Sequence, residues 1–145
     1  MGQDLFANNP RSKLDRLAAA ARVLHKALID ATQREYEKTH GRIQNPYALF
    51  TIVANDPAFA WLQPMTRAIV DLEDLAGRKE PAPAEAEVGA SRTTMEKLLR
   101  TEGLPFSTRY MGLVQSSPEV AVEDGRFHAA LREISGGSGT PLSMT

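Results

Sequence analysis

The sequence predicts an all-α protein, a single-domain bundle of five or six helices around a long N-terminal helix. Three observations support this fold class. Apolar residues recur at steps of three and four in every segment that shows a period, as they do on one face of a helix. Asn-Pro and Asp-Pro pairs supply N-cap and first-turn signals. The chain of 145 residues, with 42% hydrophobic and 24% charged residues, has the size and composition of one globular domain.

The first predicted helix begins at Ser12, which we expect to be its N-cap, and ends at Gly41. Glycine is favoured just after a helix, and Lys38 and His40 place cations near the negative end of the helix dipole. At about 1.5 Å per residue, roughly thirty residues span about 40 Å, enough to form the centre of a bundle. Its predicted buried face comprises Leu14, Leu17, Ala18, Ala21, Leu24 and Leu28.

Proline marks the start of the next two predicted helices. Asn45-Pro46 opens a short helix, preferred over a strand at 50–53 because an isolated strand would have no partner. Asp56, followed by proline, caps a longer helix that runs to 77. Pro64 lies inside this second pattern, and its ring clashes with the carbonyl four residues back, so we expect a break near Gln63.

The predicted domain covers 1–135, with an internal linker at 77–90 and a disordered tail at 136–145. Two prolines and an Ala/Glu alternation mark the linker. The next helix is expected to begin either at Pro83 or at the capping box of Thr93 and Glu96. The tail is rich in glycine and serine and has few apolar anchors. Further helices are expected through Met95, Leu98 and Leu99, through Phe106, Tyr110 and Leu113, and from Ser117-Pro118 to Ile134.

Composition argues against several function classes. The chain has no cysteine, hence no disulfide, thiol nucleophile or thiolate zinc site. Its 17 basic and 18 acidic residues nearly cancel, so we expect neither nucleic acid nor a membrane surface as partner. No apolar run approaches about 20 residues, and the N-terminus resembles no secretory signal. We therefore expect a cytoplasmic protein. The basic segment 1–44 and the acidic segment 45–90 are expected to attract each other within the fold.

One block of the sequence carries a family resemblance. Asn55-Asp56-Pro57-x-Phe59-Ala60-Trp61-Leu62-x-Pro64, followed by a C-terminal stretch with Tyr110, Gln115, Ser117 and Pro118, resembles a family of small bacterial helical proteins. In that family a long N-terminal helix precedes the block. The resemblance implies the helical fold and carries over no activity, cofactor or catalytic residue.

Four aromatic residues are the candidates for a ligand site or an interface: Tyr47, Phe59, Trp61 and Tyr110. Trp61, the only tryptophan, is interpreted first as a core anchor, and alternatively as the wall of a pocket or of a dimer interface, because its ring has both apolar and polar parts. Arg109 beside Tyr110 offers stacking to a nucleotide or a peptide as a weaker alternative.

The histidines do not form a convincing chemical site. Glu37 and His40 have the i, i+3 spacing of carboxylate-bridged metal sites, but such sites need a second copy of the motif. We therefore interpret both as solvated residues at a helix end. We expect His25 to be partly buried and hydrogen-bonded, and His128 to lie at the surface or at an interface. No serine lies in a nucleophile elbow and no glycine-rich loop precedes a helix. We predict no metal, no cofactor and no enzymatic activity.

The function expected from the sequence is that of a non-catalytic helical protein-interaction or scaffold domain. Its partner is an unidentified protein or a second copy in a homodimer. The alternative is a small-molecule-binding bundle with a pocket beside Tyr47, Phe59 and Trp61.

Overall fold

The computed structural model describes residues 9–138, and in this range the protein consists of helices with no strand. The all-α prediction is confirmed, with six α-helices and one 3-10 helix. The α-helices are α1 (Pro10–His40), α2 (Pro46–Asn55), α3 (Gln63–Gly77), α4 (Glu85–Arg100), α5 (Pro105–Ser116) and α6 (Pro118–Ser138), and the 3-10 helix (Pro57–Leu62) joins α2 to α3.

Helix α1 is the centre of the bundle, as predicted. It packs chiefly against α6 and α3, and also contacts the 3-10 helix, α4 and α5. The apolar stripe read from the sequence is its buried face, with Leu14, Leu17 and Leu24 fully buried. Burying one such leucine is worth about 1.5–3 kcal/mol, so this stripe is a major source of the bundle's stability.

The start of α1 differs from the prediction. The N-cap is Asn9, whose side-chain oxygen accepts a hydrogen bond from the backbone N–H of Ser12 at 2.8 Å, with Pro10 in the first turn. Ser12 is therefore inside the helix and the prediction that it is the cap was wrong. The predicted end is confirmed: Gly41 follows the helix with φ +83° and donates its N–H to the Glu37 carbonyl.

The expected break near Gln63 is present. Asp56 caps the 3-10 helix by accepting from the Ala58 N–H at 2.8 Å, and the chain changes to α geometry at Gln63. Pro64 then lies in the first turn of α3, where its missing N–H leaves no helical hydrogen bond unmade. This junction positions Phe59 and Leu62 in the core and holds Trp61 beside it.

The predicted linker at 77–90 is too long. Gly77 is the last residue of α3, and α4 begins at Glu85, so half of the predicted linker is helical. The helix therefore starts close to Pro83 and not at Thr93. The side chain of Glu87 accepts from the Ala84 N–H at 3.0 Å, which supplies one half of a capping box and starts the helix early. The predicted tail also begins too early, because α6 continues to Ser138; its remaining residues lie outside the described range.

The basic and acidic parts of the chain do meet. Arg22 of α1 pairs with Glu73 of α3, and Lys13 of α1 pairs with Glu85 of α4 at 3.3 Å. These pairs are at least partly exposed, so each adds less than about 1 kcal/mol and serves mainly to align the helices. Among the described helices, none is long and apolar enough to cross a membrane.

Candidate functional site

Helix α2 is the most unusual surface of the protein. Its ten residues carry no charge and are mostly apolar, yet none of them is buried. The side chain of Tyr47 is 80% exposed and that of Phe50 is 73% exposed. Ala54 is exposed as well and lies on the same side of the helix, since positions i, i+3 and i+7 share one face. We call Tyr47, Phe50 and Ala54 the α2 face.

The opposite side of α2 holds the helix to the bundle. Ile52 and Val53 are half-buried and pack against the core, and the 3-10 helix is the principal neighbour of α2. The helix is well started, because the Asn45 side chain accepts from the Ala48 N–H at 2.8 Å. A regular, capped helix therefore presents its aromatic residues to solvent on a supported backbone.

A cleft of about 250 Å³ lies beside Trp61, where the C-terminal turns of α1 meet the 3-10 helix and α5. The half-buried indole packs on Phe106 with ring centroids 5.3 Å apart. The guanidinium of Arg109 lies over the same ring at 5.0 Å from its centroid, and its Nη2 donates to Glu35 at 3.0 Å. The arginine singled out from the sequence therefore stacks within its own chain.

The other wall of this Trp61 cleft is formed by a second stack. The rings of Tyr36 and His40 lie parallel, 4.1 Å apart, and Tyr36 also contacts Phe59 at 5.8 Å. The buried Nε1 of Trp61 has no acceptor among the described residues. An unpaired buried N–H costs about 1–3 kcal/mol, so this atom is a point where an acceptor would stabilise the structure.

Two of the predicted site residues are core residues. Phe59 is 1% exposed and Tyr110 is fully buried, so neither contributes an accessible surface. The Tyr110 hydroxyl donates to the Asp124 carboxylate, which also accepts from Arg100 Nη2 at 3.2 Å and lies 3.3 Å from His128 Nδ1. Burial, followed by the hydrogen bond to Asp124, raises the pKa of the Tyr110 phenol. This group stays a neutral donor and links α5 to α6.

The histidines are placed close to expectation, with one exception. His25 is half-buried, and its Nε2 lies 3.0 Å from the Thr66 hydroxyl. Desolvation lowers its pKa below 6.5. His128 is partly buried beside Asp124 and Arg100 rather than at the surface. Glu37 accepts from the Ile43 N–H at 2.8 Å, which with Gln33 lowers the pKa of its carboxyl. In residues 9–138 no three His, Asp or Glu side chains are grouped as a metal site requires.

Sequence reasoning missed the prominence of Phe50. A helix that is apolar on all sides is normally buried, and Phe50 was placed on the predicted short helix without being named as a site candidate. The available signal was the absence of any charge in a helix of only ten residues, next to a block already rich in aromatic residues. Of the four predicted residues, Tyr47 and Trp61 remain accessible, on α2 and in the cleft respectively.

A scan of protein-family models and searches of curated proteins and of solved structures found no match for this chain. The resemblance of the block at 55–64 to small bacterial helical proteins therefore stays a prediction.

Proposed function

We propose that this protein is a non-catalytic, cytoplasmic interaction domain that binds a protein partner through the α2 face. The observation that supports the proposal is the exposure of Tyr47 and Phe50 on an uncharged, capped helix. Adjacent exposed aromatic residues on a regular helix are typical of protein-binding surfaces.

The energetics favour association. Aromatic residues contribute disproportionately to interfaces, because they bury a large area and lose little side-chain entropy. Withdrawing most of two such side chains from water is worth several kcal/mol at about 25 cal/mol per Å², which would offset part of the entropy cost of binding. A complex in which a partner covers Tyr47 and Phe50 would therefore be stabilised mainly by these two side chains, because the surrounding polar surface contributes little to the free energy of binding.

The second candidate function is the binding of a small molecule in the Trp61 cleft. The stacked Arg109 favours it, because this residue lines the cleft and its guanidinium could donate to a ligand acceptor. The cleft of about 250 Å³ is below the usual range for drug-sized ligands, so only a small ligand would fit. This candidate is separated from the first by mutation, since Arg109 lies on α5 and not on α2.

The test is site-specific photo-crosslinking in cells. A photoreactive phenylalanine analogue replaces Phe50 in one variant and Val122 in the control, because Val122 is 52% exposed and lies on α6. The proposal expects a discrete adduct from position 50 and none from position 122. The adduct should disappear when Tyr47→Ser is added, since the same face is then less apolar.

Equal labelling from both positions, or no adduct from position 50, would overturn the proposal. If Arg109→Ala rather than Tyr47→Ser changes the binding of a small molecule to the purified protein, the second candidate is favoured. Thermal unfolding of each variant controls for misfolding.

A further inference from the structure

We propose that the partner of the α2 face is the α2 face of a second copy of this chain, packed antiparallel about a two-fold axis near Phe50 and Thr51. This inference rests on the proposed function, since it uses the same surface. It goes further than the proposed function because it names the molecule that covers the α2 face. A two-fold contact places the same patch on both copies, so the patch must complement itself.

The shape of the α2 face is complementary to itself. In an antiparallel pair centred between Phe50 and Thr51, Tyr47 of one copy lies opposite Ala54 of the other. The large exposed side chain therefore meets a small one on both sides of the axis, while the two Phe50 rings meet near the centre. Alternating large and small residues allow two helices to approach to the usual 8–10 Å.

The charges are compatible with the same arrangement. Because α2 has no charged residue, two copies bring no like charges together along the contact. Exposed Arg42 precedes the helix, and Asp56 directly follows it. An antiparallel pair brings Arg42 of each copy towards Asp56 of the other, whereas a parallel pair would bring the two arginines together. The ends of the helix thus favour the antiparallel direction.

The surface area buried between the two copies determines how tightly we expect them to bind. A helix of ten residues is about 15 Å long, so two such faces bury less than about 1,000 Å² in total. Stable interfaces bury about 1,200–2,000 Å², and smaller ones belong to weak, reversible complexes. We expect a dissociation constant of about 100 μM. The protomers in dimers would then rise from about 15% at about 10 μM to about 70% at about 500 μM.

The test uses the absence of cysteine from the chain. Thr51→Cys places one thiol beside the axis on α2, and Thr108→Cys places one on α5 as the matched control, because both threonines are exposed. A bifunctional thiol reagent of about 8 Å spans neighbouring helices. At about 500 μM, Thr51→Cys should crosslink at least about tenfold faster than Thr108→Cys, and adding Phe50→Glu should remove the difference. Sedimentation velocity of the unmodified protein measures the dimer directly.

The outcomes separate this inference from the proposed function. A monomer at every concentration, or equal crosslinking of the two thiols, overturns the dimer. An adduct between position 50 and a different protein in cells would then still support the proposed function. If Thr51→Cys crosslinks but Phe50→Glu leaves the rate unchanged, the contact does not use the α2 face and the inference is also overturned.

Discussion

Replacing Tyr110 with phenylalanine removes one hydroxyl from a fully buried side chain. The hydroxyl donates to Asp124, whose side chain is only 14% exposed, and phenylalanine fills the remaining ring volume without a cavity. The variant therefore measures a single hydrogen bond between α5 and α6.

The expected loss follows from the charge and the surroundings of Asp124. A hydrogen bond to a charged group contributes about 1.5–3 kcal/mol. In the variant, Asp124 keeps its contacts with Arg100 at 3.2 Å and His128 at 3.3 Å, so its carboxylate is not left unsatisfied. The free energy of unfolding should therefore fall by an amount near the lower end of this range, about 1.5–2 kcal/mol. For roughly 130 folded residues, the entropy of unfolding converts this loss into a fall in Tm of about 6–7 °C.

Urea unfolding and thermal unfolding at neutral pH provide the assay. Tyr47→Phe is the matched control, because the Tyr47 hydroxyl belongs to a side chain that is 80% exposed, and it should change the free energy of unfolding by less than about 0.5 kcal/mol. A double-mutant cycle with Asp124→Asn should show that the two losses are not additive. Equal effects of Tyr110→Phe and Tyr47→Phe, or full additivity in the cycle, would refute the reasoning.

Three further predictions concern single positions. Desolvation lowers the pKa of His25 below 6.5, so the unfolded chain takes up its proton first, and stability should fall as pH drops below 6.5. In urea unfolding, His25→Gln should lose less stability over that range than the wild type, and an equal loss would contradict this. Gly41→Ala should lower the free energy of unfolding by about 1–3 kcal/mol, because φ is +83° at this position. Gly89→Ala within α4 should raise it by about 0.5–1 kcal/mol. Urea unfolding measures both, and equal effects would refute the backbone argument. Trp61→Ala should lower the free energy of unfolding by about 2–4 kcal/mol, since the half-buried ring packs on the core, and an unchanged Tm would contradict this.

Local signals predicted most of the helices. The stripe on α1 and the Asn45 and Asp56 caps depend on neighbours within one or two turns, so a period and a capping residue suffice to place them. The errors arose where two signals competed. Ser12 was predicted as the cap and Asn9 was overlooked, although Asn9 precedes a proline as Asn45 does. The prolines after Gly77 marked a linker to 90, whereas Glu87 helps α4 to begin at Glu85.

The candidate site was predictable only in part. Aromatic residues could be found from the sequence, but their exposure depends on which helices pack together, and that is a property of the whole fold. Phe59 and Tyr110 face α1 and α6, whereas Tyr47 lies on a helix that the bundle leaves at its edge. The pairing of Arg109 with Glu35, 74 positions apart in the chain, has no local signal at all.

The most direct test of the α2 face as a binding surface compares folding and association in one variant, Phe50→Ser. Because Phe50 is 73% exposed, its loss should leave Tm within about 2 °C of the wild-type value. The same loss should weaken the self-association of the protein by at least about tenfold. Thermal unfolding and sedimentation velocity on the same sample measure both quantities. A large fall in Tm with association unchanged would contradict the account, since Phe50 would then stabilise the fold and not the complex.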